Sequence, residues 1–235
     1  MRSRWGGPSP LRHRSKLCTS VSAADCEEMA RKAKLALALG SDIVELRVDR
    51  INHPSASQVV KHLSPFFSRA VVTVRSSAEG GAFKGGEKRR IELLTALASE
   101  SPSYIDIELR TIESKGMPDF PDASRTIVSW HGTAGTPSVS DLKERAAEAA
   151  KYGGLVKIVT AARRLDDLVR LLSLYKLRTD HRLIAFCFGE FGFASRVIAL
   201  QLGCPILYCS LPGEPLVAGQ APIGTMKQVR GLLRA

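Results

Sequence analysis

Five stretches of the chain alternate apolar residues with charged or polar ones at a period of two. Residues 42–49 set Glu45 and Arg47 on one face and Val44, Leu46 and Val48 on the other. In the same way Thr73 falls with Arg75, Asp106 with Glu108, Ser129 with His131, and residues 155–159 centre on Lys157. Side chains of a strand point alternately to its two faces, so each stretch reads as a strand with one oily face for covering helices and one chemically loaded face. Unpaired burial of so many charges would be costly, and the loaded faces are therefore expected to converge on a shared wet or ligand-filled space.

Between the strands the periodicity changes to that of helices. Leu17 to Val21 leads to a helix over about 24–39, where Met29, Ala33, Ala36 and Leu37 recur at helical spacing and Gly40 stops the run. Further helices are predicted near 55–63, 87–98, 165–177, 193–202 and 223–233, with a short segment after Thr111 and a helix running from about Ser138 toward Gly153 and Gly154. Strands over 183–188 and 205–210 complete the pattern. Eight strand-helix units in one chain of 235 residues predict an α/β fold, a single-domain (β/α)8 TIM barrel closed by parallel strands, over residues 16–235. In that architecture functional groups lie at the C-terminal ends of strands, where Glu45, Arg47, Arg75, Asp106, His131 and Lys157 fall. An open doubly wound sheet is the alternative, but residues 18–24 carry no glycine and so no dinucleotide fingerprint. Gly80 to Glu87 is rich in glycine yet lacks the Gly-Lys-Ser/Thr ending of a phosphate loop, and reads as a lid or turn.

Composition adds limits. A hydrophobic fraction of 44% and a charged fraction of 24% are those of a soluble globular protein, and no apolar run reaches the roughly 18 to 20 residues of a membrane span. The formal charge is +11, and five of the positive charges, Arg2, Arg4, Arg12, Arg14 and Lys16, precede the first acid at Asp25. Residues 1–15 read as a basic, flexible extension; their Arg/Ser bias vaguely resembles an organelle transit peptide, but without a hydrophobic stretch they are no secretory signal. The remaining body is moderately basic, which suits an anionic substrate and gives no case for specific nucleic-acid binding. Five cysteines, with no CxxC or zinc-like spacing, read as buried thiols of a cytoplasmic protein.

The segments Glu45 to Asp49 (ELRVD), Thr73 to Gly81 (TVRSSAEGG), Tyr104 to Leu109 (YIDIEL), Ser129 to Pro137 (SWHGTAGTP), Val156 to Ile158 (VKI) and Gly189 to Arg196 (GEFGFASR) together resemble type I 3-dehydroquinate dehydratase, in order and at matching separations. The resemblance runs from about Lys16 to the C-terminus. It implies a (β/α)8 barrel that dehydrates 3-dehydroquinate to 3-dehydroshikimate in the shikimate route to aromatic amino acids, through a lysine Schiff base and with no metal or organic cofactor.

Position by position, the resemblance makes Lys157 the Schiff-base lysine. A lysine held mid-strand between Val156 and Ile158 is also expected on its own terms to be desolvated and near cations, both favouring the neutral amine that attacks a ketone. His131 matches the general base and acid, a role an imidazole can fill in both directions, and Glu79 matches its carboxylate partner. Asp106 matches an inner acid that orients basic neighbours. Ser20, Glu45, Arg47, Arg75 and Arg196 match the substrate-binding set, with Arg196 at the start of the seventh helix as the planar fork for the substrate carboxylate. Gln220 matches a contact from the closing loop. That loop departs from the family pattern, since Leu216 stands where a hydroxyl is expected and Ala218 where a proline is expected. The partner implied is a small-molecule carboxylate, with a homodimer as an assembly open to the chain. Two other classes remain at this stage. A class I aldolase or transaldolase-like barrel also uses a Schiff-base lysine but binds sugar phosphates, and a non-enzymatic anion or nucleic-acid binder would account for the charge without needing Lys157 or His131.

Overall fold

The computed structural model describes residues 15–177 and 182–233. Eight strands alternate with eight helices: β1 Lys16–Val21, α1 Cys26–Ala38, β2 Ile43–Arg47, α2 Ala56–Leu63, β3 Ala70–Thr73, α3 Glu87–Ser99, β4 Tyr104–Glu108 and α4 Leu109–Lys115 form the first half. The second half is β5 Thr126–Gly132, α5 Val139–Ala149, β6 Leu155–Ala161, α6 Leu165–Leu172, β7 Arg182–Phe188, α7 Gly192–Gln201, β8 Ile206–Ser210 and α8 Ile223–Leu232. All strand pairs are parallel and follow chain order from β1 to β7, with β8 returning to pair with β1. This is a (β/α)8 barrel. Of the extension expected at residues 1–15, all but Ser15 lies outside the described residues. Among those described, no helix is long and apolar enough to cross a membrane.

The alternation has the expected consequence. Val44, Leu46, Val72, Val74, Ile105, Ile107, Val128, Trp130, Val156 and Ile158 are buried on the outer faces of their strands, under the helices. The loaded faces turn inward, and Glu45, Arg47, Thr73, Arg75, Asp106, Glu108, Ser129 and Lys157 are buried as well. Several helix starts follow from local chemistry: Asp25 accepts the Glu28 backbone N–H at 2.8 Å, and Ser138 accepts that of Asp141 at 3.2 Å, each relieving a donor left over at the first turn. The five cysteines are free and buried, as thiols acting as small apolar residues should be.

Three details differ from the expectations. The second strand ends at Arg47 and gives way to a 3-10 turn over Val48–Arg50, because Asp49 folds back to take the Arg47 guanidinium. The helix expected to reach Leu177 stops at Leu172 and tightens into a 3-10 turn over Ser173–Lys176. The ring is also not closed by a strand ladder throughout: among the described residues β7 and β8 are not paired as a ladder. The gap is spanned by Arg196 of α7, which donates from Nη1 to the Cys187 carbonyl of β7 at 2.9 Å and from Nε to the Tyr208 carbonyl of β8 at 3.1 Å. Backbone carbonyls that a ladder would have satisfied are thus taken up by a guanidinium.

Candidate active site

The inward faces build one connected polar network at the C-terminal end of the barrel. Glu45 of β2 accepts from Ser20 of β1 at 2.6 Å and from Thr73 of β3 at 3.1 Å. Asp106 of β4 takes the Arg75 guanidinium at 2.8 Å, the Ser129 hydroxyl at 2.7 Å and the Lys157 ammonium at 3.1 Å. Burial alone would raise the Asp106 pKa, but Arg75 and Lys157 beside it, with the Ser129 hydroxyl adding a hydrogen bond, outweigh that and hold it well below the usual carboxylate range. Asp106 is therefore a fixed negative charge, the counter-ion at the centre of the site.

Lys157 is the one lysine among the described residues that is buried on the barrel's inner face. Its Nζ lies 3.1 Å from Asp106, 3.6 Å from Glu45 and 4.1 Å from the centroid of the Tyr208 ring. Cations were expected beside it; carboxylates and a π face are what surround it. Ser129, which pairs with Lys157 across β5 and β6, donates to Asp106 and so links the lysine's level to the acid of β4 two strands away.

His131 is the last residue but one of β5 and meets Glu79, which sits in a 3-10 turn over Ser77–Glu79 just after β3. Glu79 Oε2 lies 2.8 Å from His131 Nδ1 and accepts the His131 backbone N–H at 3.0 Å. The turn is shaped by the glycines that follow: Gly80 adopts φ +79°, and a Cβ on Gly81 would stand 2.0 Å from the Arg75 carbonyl oxygen. Burial moves both partners toward their neutral forms. It pushes Glu79 up to about 7, and, with Arg75 and Lys157 adding to it, pulls His131 well below its ordinary value. These directions favour the neutral imidazole of His131.

The three arginines differ in their partners. Arg47 is bound by Asp49 through two bonds of 2.8 Å, and Arg75 by Asp106 at 2.8 Å with Glu108 at 3.3 Å. Arg196 has no carboxylate partner among the described residues; its acceptors are the carbonyls of Tyr208, Cys187, Gly192 and Gly219. It is 1% exposed, and burial draws its pKa down to about 10. It lies in the second turn of α7, not at the helix start where free backbone N–H groups would assist it. None of the four bonds uses Nη2, and Arg196 lines the cavity as a buried cation with no counter-ion among the described residues.

That cavity measures about 250 Å³. Ser20, Glu45, Arg47, Arg75, Glu79, His131, Lys157, Arg196 and Gln220 line it, and Val159, Phe186, Phe188, Tyr208, Leu216 and Val217 form an apolar wall. Gln220, in the loop between β8 and α8, is fixed by its own bonds, donating to the Cys209 carbonyl at 2.8 Å and Ser20 Oγ at 3.2 Å while accepting the Leu216 N–H at 2.9 Å. Nine of the ten singled-out residues therefore line one space, and Asp106 lies beneath it bonded to Arg75 and Lys157. Sequence reading missed the role of Glu108, which binds Arg75, the Ser76 backbone N–H and the buried Arg90. It also missed the apolar wall.

Residues 17–235 match the family model for type I 3-dehydroquinase. The chain belongs to the type I 3-dehydroquinase family. It is 31% identical to the 3-dehydroquinate dehydratase of Methanothermobacter thermautotrophicus over 219 residues, 93% of this chain and 97% of the relative. It is also similar to the crystal structure of the 3-dehydroquinate dehydratase from Aquifex aeolicus, with a TM-score of 0.76, 30% identity and coverage of 92% and 98% of the two chains. The Geobacillus kaustophilus 3-dehydroquinate dehydratase structure superposes with a TM-score of 0.81 at 20% identity, covering 97% of each chain, and shares the fold. As a type I 3-dehydroquinase the chain is an enzyme of the hydro-lyase class, and the sugar-phosphate and nucleic-acid readings fall away.

Proposed function

We propose that this protein dehydrates 3-dehydroquinate to 3-dehydroshikimate through a Schiff base on Lys157, with His131 as the acid-base group. One observation carries the reading: a buried lysine between two carboxylates opens into the same cavity as a histidine held by Glu79 and a buried arginine that has no carboxylate partner among the described residues. Addition of the Lys157 amine to the substrate ketone and loss of water give an iminium, which places a positive charge where the ammonium stood. Asp106 and Glu45 are preorganised for that charge. His131 removes the proton on the carbon next to the iminium, and the electron pair passes to nitrogen as an enamine. The enamine then expels the β-hydroxyl, which leaves as water with the proton carried by His131. Hydrolysis of the remaining iminium releases the enone and restores Lys157, so that one water is lost overall. Glu79 keeps the imidazole oriented and balances the imidazolium.

The test is growth of conjugated-enone absorbance from 3-dehydroquinate with purified protein. Because Glu79 has to be ionised to support His131 and titrates near 7, kcat/KM is expected to fall about tenfold per pH unit below that point and to level off above it. A flat trace from folded protein removes the reading.

Arg196 is the group proposed for the substrate carboxylate, since Arg47 and Arg75 already hold carboxylates of the protein. Arg196→Ala is expected to weaken apparent affinity for 3-dehydroquinate by roughly 2 to 5 kcal/mol, and Arg196→Lys to weaken it less, having kept the charge and lost the Nη2 donors that the carbonyls leave free. Binding of an analogue without the carboxylate should change little. Equal weakening of both ligands, together with a lowered melting temperature, would reduce Arg196 to a clasp between β7 and β8.

A further inference from the structure

Glu79 has two carboxylate oxygens, and the chemistry of proton transfer uses one. Oε2 is occupied by the backbone N–H and Nδ1 of His131. Oε1 is buried and has no hydrogen-bond partner among the described residues, and Arg110 Nε stands 3.6 Å from it. Arg110 is the second residue of α4, directly after β4, and does not line the cavity. Its guanidinium lies 5.8 Å from the centroid of Trp130, the residue before His131, and Arg145 covers that ring at 4.3 Å. Arg110 is thus set between an aromatic face and the unpaired side of the one carboxylate that holds the catalytic imidazole.

We propose that Arg110 is a positioning residue: from outside the cavity it keeps Glu79 as a carboxylate, so that the ring proton of His131 stays on Nδ1 and Nε2 remains bare for the substrate proton. The proposal rests on the acid-base role of His131.

Arg110 shares this task with Arg75. On Glu79, burial and Glu108 of β4 favour the acid form, while Arg75, then Arg110 and the His131 backbone N–H favour the carboxylate. Arg75 is held by Asp106 and Glu108, and Arg110 is the cation that stands against the unbonded Oε1. On His131, burial, Arg75, Lys157 and Arg47 oppose the imidazolium and Asp106 favours it. Without Arg110, Glu79 ionises at higher pH. A protonated Glu79 gives the imidazolium no counter-charge and can donate to Nδ1, which would move the ring proton to Nε2.

Arg110 is half-exposed, at 50%, so the expected shift is smaller than the 1–3 units of a buried pair, roughly half to one pH unit. In Arg110→Met the acidic limb of kcat/KM should move up by that amount, with a several-fold loss of kcat near pH 6.5, recovery near pH 8.5 and an unchanged KM. Arg110→Lys should restore most of the loss. Arg125→Met, which removes an equally exposed charge paired with Asp122, is the control for net charge and should leave the limb in place. A 13C NMR titration of the Glu79 carboxyl reads the same shift without turnover. A wild-type protein with no dehydratase activity would therefore overturn the function and still leave Arg110 judged by its effect on Glu79. Superposition of the Arg110→Met and wild-type titrations, or equal impairment of Arg110→Lys and Arg110→Met, would overturn the proposal.

Discussion

Borohydride added to the protein and 3-dehydroquinate together is expected to leave one reduced adduct, on the peptide that contains Lys157. A nucleophilic amine has to reach a ketone held in the cavity, and Lys157 meets that condition from the barrel's inner face. Lys84 and Lys227 do not: Lys84 is exposed in the segment before α3, Lys227 donates to the Leu39 carbonyl at 2.9 Å, and neither lines the cavity. Lys157→Ala should abolish trapping and lower turnover to background. The fold should survive, because Asp106 keeps Arg75 at 2.8 Å and Ser129 at 2.7 Å and is not left as a bare buried charge. Where removal of a partner does strand a buried charge, the cost is about 3–5 kcal/mol, and Arg75 is what prevents it here. Mass mapping decides the matter: an adduct on Lys84 or Lys227, or one that persists in Lys157→Ala, would remove Lys157 from the covalent step.

The polar half of this site was legible because charges set at a period of two between apolar residues fit a strand with one inward polar face and fit little else. Glu45, Arg75, Asp106, His131 and Lys157 each announce an inward face by contrast with apolar neighbours. The other half gives no such contrast. Phe186, Phe188 and Tyr208 also face the cavity, but residues 183–188 and 206–209 are apolar or weakly polar on both faces, so alternation carries no signal there. Pairing across strands is likewise invisible to a linear reading. Lys157 and Asp106 are 51 residues apart, and only the β4–β5–β6 register shows that an acid sits beside the lysine where cations were expected. The break between β7 and β8 escaped for a related reason. A strand-like sequence predicts a strand but not its partner, and Arg196, expected from the sequence to meet the substrate carboxylate, also links two strands. Arg110 carried no sequence signal, because a single arginine opening a short helix is common and its meaning depends on an unpaired oxygen contributed from another turn.

His131→Ala is expected to lower kcat by about 10²–10⁴ or more, since the same imidazole both removes a proton and returns one to the departing hydroxyl. The structure bears on what survives. His131 contributes its ring to Glu79 Oε2 but also its backbone N–H at 3.0 Å, and the alanine variant retains the latter, so Glu79 and the turn over Ser77–Glu79 should keep their places. Lys157 keeps Asp106 and Glu45, and imine formation should persist at a reduced rate. Borohydride trapping with His131→Ala is therefore expected to be slower than in the wild type but present, while enone absorbance stays near background. That separation is the informative result. If trapping and turnover disappear together, His131 also serves imine formation, and a loss of under tenfold in turnover would take it out of the mechanism. Because Glu79 would then have no imidazolium to balance, the fall of activity below about pH 7 should vanish in whatever turnover remains to His131→Ala. A residual rate that kept the wild-type acidic limb would mean that Glu79 acts on the substrate directly and not through His131.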